Sequence, residues 1–161
     1  MAKVIEISPT SALGADDEEP LRVVAYCRVS TDHEEQSSSL EMQEQYYTKL
    51  IEQTPNWINA GIFADEGLSG TSIRHRPQFQ ALLTLALEGR IDLILTKEVS
   101  RFARNTVDTL QITRRLKTLG VGVLFLSDNI DTRDNDGEFR LTIMASVAQE
   151  ESRKISQRTR W

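Results

Sequence analysis

Four arginines stand where this sequence turns from apolar to polar: Arg28, Arg76, Arg101 and Arg104. A serine, Ser30, lies two residues beyond the first of them, in the run YCRVSTD. Arg101 and Arg104 are spaced i, i+3 within VSRFARN, so they share a face if that turn is helical. An arginine near a helix N-terminus opposes the macrodipole, and an external anion resolves the conflict. Guanidinium groups around a serine lower the cost of forming its alkoxide. They can also hold a phosphate whose charge grows in the transition state. The plainer account is that Ser-Thr-Asp forms a turn or helix cap and that each arginine pairs with a carboxylate such as Asp65, Asp92 or Asp108. Four arginines at one sheet edge weigh against that account for the group. His33 and His75 lie in polar stretches without a nucleophile-elbow pattern, so phosphoryl transfer suits the inventory better than acyl transfer.

Alternating strands and helices must position these residues. Leu21 to Cys27 reads as a short buried strand leading straight into the polar stretch that holds Ser30. Ser38 and Glu41 have capping-box spacing ahead of a helix to about Gln53. A second strand near Ile58 to Ala64 runs into the glycine- and serine-containing loop from Asp65 to Arg76. Pro77 opens a helix that Gly89 stops, Ile91 to Thr96 is a third strand, and Thr106 to Leu119 is a helix stopped by Gly120. Val121 to Ser127 is a fourth strand, and a long helix runs from Gly137 to Trp161. The expected architecture is α/β: a four-to-five-stranded, mostly parallel sheet with helices on both faces and a long C-terminal helix. In such folds ligands bind beyond the carboxyl ends of the strands.

The 161 residues, 39% of them hydrophobic, suffice for one packed core. Residues 1–20 read as a flexible leader, 21–136 as the α/β core and 137–161 as the helix that leaves it. The helix is apolar in its first half and polar in its second, so it is expected to meet a partner subunit, DNA, or both. A net charge of -5 argues against a non-specific nucleic-acid coat, yet the average hides an asymmetry: residues 1–95 carry -8 and residues 96–161 carry +3. Beyond Ser152 every charge is positive, at Arg153, Lys154, Arg158 and Arg160, which suits either a solvated basic helix end or a contact with DNA. The lone Cys27 excludes an internal disulfide and is expected to be buried; no Cys/His cluster has metal-site spacing. No signal-peptide pattern or membrane-length apolar run is present, so a cytoplasmic location is expected.

The blocks YCRVSTD, FADEGLSGTSIRHRP, KEVSRFARNTVD and AQEESRKISQR, in that order, resemble those of serine site-specific recombinases of the resolvase/invertase family. The likeness is strongest to the catalytic domain of the large subgroup carried by conjugative and mobile elements. It covers Leu21 to Trp161. The resemblance implies that Ser30 is the nucleophile, with Arg28, Arg76, Arg101 and Arg104 around the scissile phosphate. It assigns supporting roles to Gln43, Ser69 and Asp65, the last suited to orienting an arginine or to acting as a base. Arg153, Lys154, Arg158 and Arg160 are assigned to DNA. The implied partners are double-stranded DNA recombination sites and further copies of the chain, dimeric on DNA and tetrameric in synapsis. An accessory directionality factor is also allowed, and no metal or nucleotide cofactor is implied. Family members continue into DNA-binding domains, which are expected to be absent from this chain. Two positions depart from the smaller resolvases: Ser100 stands where many have aspartate, and Ser152 where they have arginine on the long helix.

Three other readings fit less well. A nucleotide-binding or receiver module lacks a phosphate loop, since the glycines match neither GxGxxG nor GxxxxGK[ST]. A metal-dependent nuclease would have to pair Asp65 with Asp92. A pure DNA-binding module is opposed by the acidic first half and the lack of a helix-turn-helix signal.

Overall fold

Strand β1, Leu21–Val29, organises the sheet because both of its faces are apolar. Val23, Ala25 and Cys27 point to one side, Val24 and Tyr26 to the other, and all five are buried. The computed structural model describes residues 19–29, 35–66, 76–103 and 105–159. Within them, β1 pairs in parallel with β2 (Trp57–Glu66) and with β3 (Leu93–Thr96). β3 pairs in parallel with β4 (Gly122–Phe125), and the two-residue β5 (Ile130–Asp131) closes that edge antiparallel to β4. The order is β2-β1-β3-β4-β5, the mostly parallel sheet expected from the alternation of elements.

Helix α1 (Glu35–Gln53) covers one face, laying Tyr47 and Ile51 over Ala25, Cys27, Leu93 and Leu95. The other face is covered by α2 (Pro77–Leu87), α4 (Thr106–Thr118) and the first half of α5 (Asn135–Thr159). A short turn of helix, α3 (Val99–Phe102), lies between β3 and α4 and places Phe102 in that same core. Gly89 and Gly120 end α2 and α4 with φ of 71° and 82°, the left-handed conformation that makes glycine a stop signal.

Several boundaries differ from the sequence reading. α1 begins at Glu35, before the expected cap at Ser38. β3 begins at Leu93, and the side chain of the preceding Asp92 is held by Arg22, accepting from its backbone N–H at 2.8 Å and its Nε at 3.0 Å. α5 begins at Asn135 because Asp134 caps it, its Oδ1 accepting from the Gly137 N–H at 2.6 Å. Gly137 itself is pressed against β5: a β-carbon there would collide with the Asp131 carbonyl oxygen.

At about 1.5 Å per residue, the 25 residues of α5 reach nearly 40 Å. Its first half is anchored by the buried Leu141 and Ala145 and by Glu138, which accepts from Arg114 and Lys117 of α4. Phe139, Ile143 and Val147, four residues apart, form an exposed apolar stripe on the same stretch. No helix among the described residues is long and apolar enough to cross a membrane.

Candidate active site

The carboxyl ends of β1 and β2 meet in register, with Arg28 opposite Asp65. Strand alternation puts Arg28, half-buried, on the same face as Tyr26 and Val24, the face that also carries α2 and α3. β1 ends at Val29, so its carboxyl end is the point from which the chain continues to Ser30. Ser30, Ser69, Arg104 and Arg160 lie outside the described residues, as do the side chains of Arg101 and Arg158.

Beneath this edge is a buried polar network. Asp65, only 3% exposed, accepts from the Tyr26 hydroxyl at 2.8 Å and from the backbone N–H groups of Gln78 and Phe79, each at 2.9 Å. It thereby caps the first turn of α2, where Pro77 has no N–H to offer. Three donors on two oxygens suit a fixed carboxylate that braces strand against helix. Burial pushes the Tyr26 hydroxyl well above the ordinary phenol range, so it stays a donor to Asp65.

Arg76 completes the network. It is fully buried, donating from Nε to the Tyr26 hydroxyl at 3.0 Å and from Nη2 to the Phe102 carbonyl at 2.5 Å. Its guanidinium lies over the Phe79 ring, 4.3 Å from the centroid. Arg76, which the resemblance assigns to the scissile phosphate, is here buried and bonded to the end of α3. The other end of α3 is held by Asp128, which accepts from the Val99 N–H at 2.7 Å; the Thr109 hydroxyl donates to the Asn105 carbonyl at 3.0 Å, with the Val99 carbonyl farther off at 3.4 Å. The backbone of Arg101 lies within this clamped turn.

Gln43 is half-buried on α1, one turn before Tyr47, on the opposite face of the sheet from α3. At the far end of the molecule, Arg153 and Lys154 are exposed on α5, and Arg153 pairs with Glu150 at 2.6 Å. The pairing of Asp65 with Asp92 does not occur. Asp65 neighbours Arg28 and Asp92 is bonded to Arg22, six residues apart on β1, which separates the carboxylates by about 20 Å at opposite ends of the sheet. Sequence reasoning missed Tyr26, Thr109, Asp128 and Arg140; only the apolar-to-polar change after β1 hinted that a strand end was in use.

The family model described as "Resolvase, N terminal domain" matches residues 23–161. A resolvase/recombinase from Pseudomonas putida is 32% identical over 139 residues, covering 86% of this chain and 70% of that protein. The transposon Tn3 resolvase of Escherichia coli is 34% identical over 139 residues, covering 86% and 68%. Among solved structures, a resolvase family site-specific recombinase from Streptococcus pneumoniae superposes with a TM-score of 0.68 at 29% identity, covering 86% of this chain and 93% of that one. The N-terminal catalytic domain of TP901-1 integrase, at 24% identity and a TM-score of 0.63, shares the fold over 84% of this chain and 98% of its own. With its mostly parallel sheet, its braced arginine turn and these relatives, the chain belongs to the resolvase family of serine recombinases as a site-specific recombinase catalytic domain.

Proposed function

We propose that this domain cuts and rejoins double-stranded DNA at recombination sites through Ser30. The serine Oγ attacks the scissile phosphorus, the bond to the 3′ oxygen breaks, and that oxygen leaves as a free 3′ hydroxyl. A 5′ phosphoserine link conserves the energy of the phosphodiester. After strand exchange in a synaptic tetramer, attack by a 3′ hydroxyl reverses the step and releases the serine. No metal ion or nucleotide is needed for this balance.

One observation carries the reading: in a chain of this family, β1 delivers its carboxyl end to the same edge and face as the clamped turn bearing Arg101. Arg28, Arg101 and Arg104 are assigned to the phosphate, where their charge stabilises the crowded oxygens of the transition state. Gln43 and Ser69 support the edge. The stripe of Phe139, Ile143 and Val147 suits a second copy of the chain, and Arg153, Lys154, Arg158 and Arg160 suit the DNA beyond it. A minor groove distinguishes mainly A·T from G·C pairs, so the target sequence is read by other modules. Such a protein works on DNA in the cytoplasm, and an accessory factor can set its direction.

The test is incubation of the full-length protein with DNA spanning its element's junction, in EDTA, followed by denaturing electrophoresis and mass mapping of any DNA-linked peptide. A 5′ phosphoseryl adduct at Ser30, lost in Ser30→Ala, is expected. Cleavage that needs magnesium and leaves free ends overturns the reading.

A further inference from the structure

Arg101 sits in a turn only four residues long, which cannot hold its own geometry. One of its two clamps, Arg76, comes from the adjoining core. The other, Asp128, lies in the turn between β4 and β5 and leads elsewhere. The carbonyl oxygens of Asp128 and Asn129 accept from the two terminal nitrogens of Arg140 on α5, at 3.0 and 2.7 Å. Asn129 adopts a φ of 53°, a left-handed conformation that asparagine tolerates. The forked guanidinium grips both carbonyls of this turn at once. The segment is tied to the end of β3 as well, since the N–H groups of Leu126 and Ser127 donate to the carbonyls of Thr96 and Lys97 at 2.9 and 2.8 Å. Arg140 is exposed, and its sequence neighbour Phe139 belongs to the apolar stripe of α5.

We propose that Asp128 and Arg140 are positioning residues for DNA cleavage, forming a relay from α5 through the 128–129 turn to the amide of Val99 and so to Arg101. The inference rests on the reading above that Arg101 meets the phosphate. The relay transmits the seating of α5 to the catalytic edge: when α5 is held by a partner subunit, Arg140 keeps the turn in place, Asp128 keeps the Val99 N–H, and Arg101 stays aligned. A displacement of about 1 Å at a reacting group can cost about 10²-fold in rate, so a relay of single hydrogen bonds is sufficient to matter.

The experiment is single-turnover cleavage of a recombination site by the full-length protein at saturating DNA, with DNA affinity and melting temperature measured on the same variants. Asp128→Ala and Arg140→Met are each expected to slow cleavage by about 10- to 100-fold while leaving DNA affinity unchanged. Asp128→Asn is expected to restore it, because its amide oxygen still accepts from Val99. The double variant should be no slower than the worse single one, since both break one path. Wild-type rates in Asp128→Ala and Arg140→Met beside an inactive Arg101→Ala overturn the relay. So does equal loss in Asp128→Ala and Asp128→Asn. Normal cleavage by Arg101→Ala instead removes the role of Arg101, and the relay with it. Arg140 lies on the surface, so its variant remains informative even if Asp128→Ala fails to fold.

Discussion

Arg76 and Phe102 are joined across the core, the guanidinium Nη2 of the first donating to the carbonyl of the second, and both residues are fully buried. The contact ties the start of α2 to the end of the turn bearing Arg101. Of the four arginines that the sequence groups, it makes Arg76 a brace, while Arg28, Arg101 and Arg104 are the ones proposed to meet the substrate.

That division is measurable. Arg76→Met leaves the Phe102 carbonyl and the Tyr26 hydroxyl without their donor and should lower stability by about 3 kcal/mol, read from the denaturant midpoint. Arg101→Ala should leave the midpoint unchanged and reduce cleavage by about 10² to 10³. An unaltered midpoint in Arg76→Met together with lost cleavage would return Arg76 to the phosphate.

Tyr26→Phe removes one hydroxyl that donates to Asp65 and accepts from Arg76. Two buried charged groups lose a neutral intermediary, so a loss of about 1–3 kcal/mol is expected in the same measurement. A neutral result would mean that Asp65 and Arg76 re-pair directly once the hydroxyl is gone.

Lys117, by hydrogen bonding, and Arg114 hold the Glu138 carboxyl below its ordinary value. A depressed folded-state value contributes stability that is present above the unfolded value, about 4.3, and is lost as pH falls through the folded one. The docking of α5 on α4 should therefore weaken in acid, by less than about 1 kcal/mol because the pair is partly exposed. Glu138→Gln should flatten that part of the melting-temperature profile below about pH 4.3. An unchanged slope would assign the acid sensitivity to other carboxylates.

Gly137→Ala drives a β-carbon into backbone that cannot swing away. The expected cost is about 2–3 kcal/mol, with the first turn of α5 lifted from β5. Gly89→Ala is the comparison: it meets nothing within 4 Å and carries only the strain of its left-handed φ, about 1 kcal/mol. Equal melting temperatures for the two variants would contradict the close approach.

Cys27 is 2% exposed, and burial pushes its thiol up to about 12. A thiol reagent should label it only as fast as the domain unfolds. Rapid labelling of the folded protein would reveal an opening of α1 from β1.

The strand-helix alternation was legible because each element carries its own period and punctuation: the apolar run of β1, Pro77 and Gly89 around α2, Gly120 after α4. The arginines were legible as a group for the same local reason. Their division was not, because the environment of Arg76 is made by Tyr26, Phe79 and Phe102, and the nearest strand residue among them is 50 positions away. Asp92 looked like a possible partner of Asp65 because both flank strands. Parallel register, which no single strand encodes, sends them to opposite ends of the sheet. β5 is too short to have a period, and the caps supplied by Asp65 and Asp128 come from other elements rather than from the residues that precede each helix.

Among the described side chains of α5, Ala145 is the last that is buried, and the turns beyond it form a lever arm. They run to Thr159, about 20 Å past Ala145. A tilt of about 10° at the anchored end carries the tip through roughly 3–4 Å, comparable with the rise of one base pair. Small changes in how Leu141 and Ala145 seat are thus magnified at the end of the helix proposed to meet DNA.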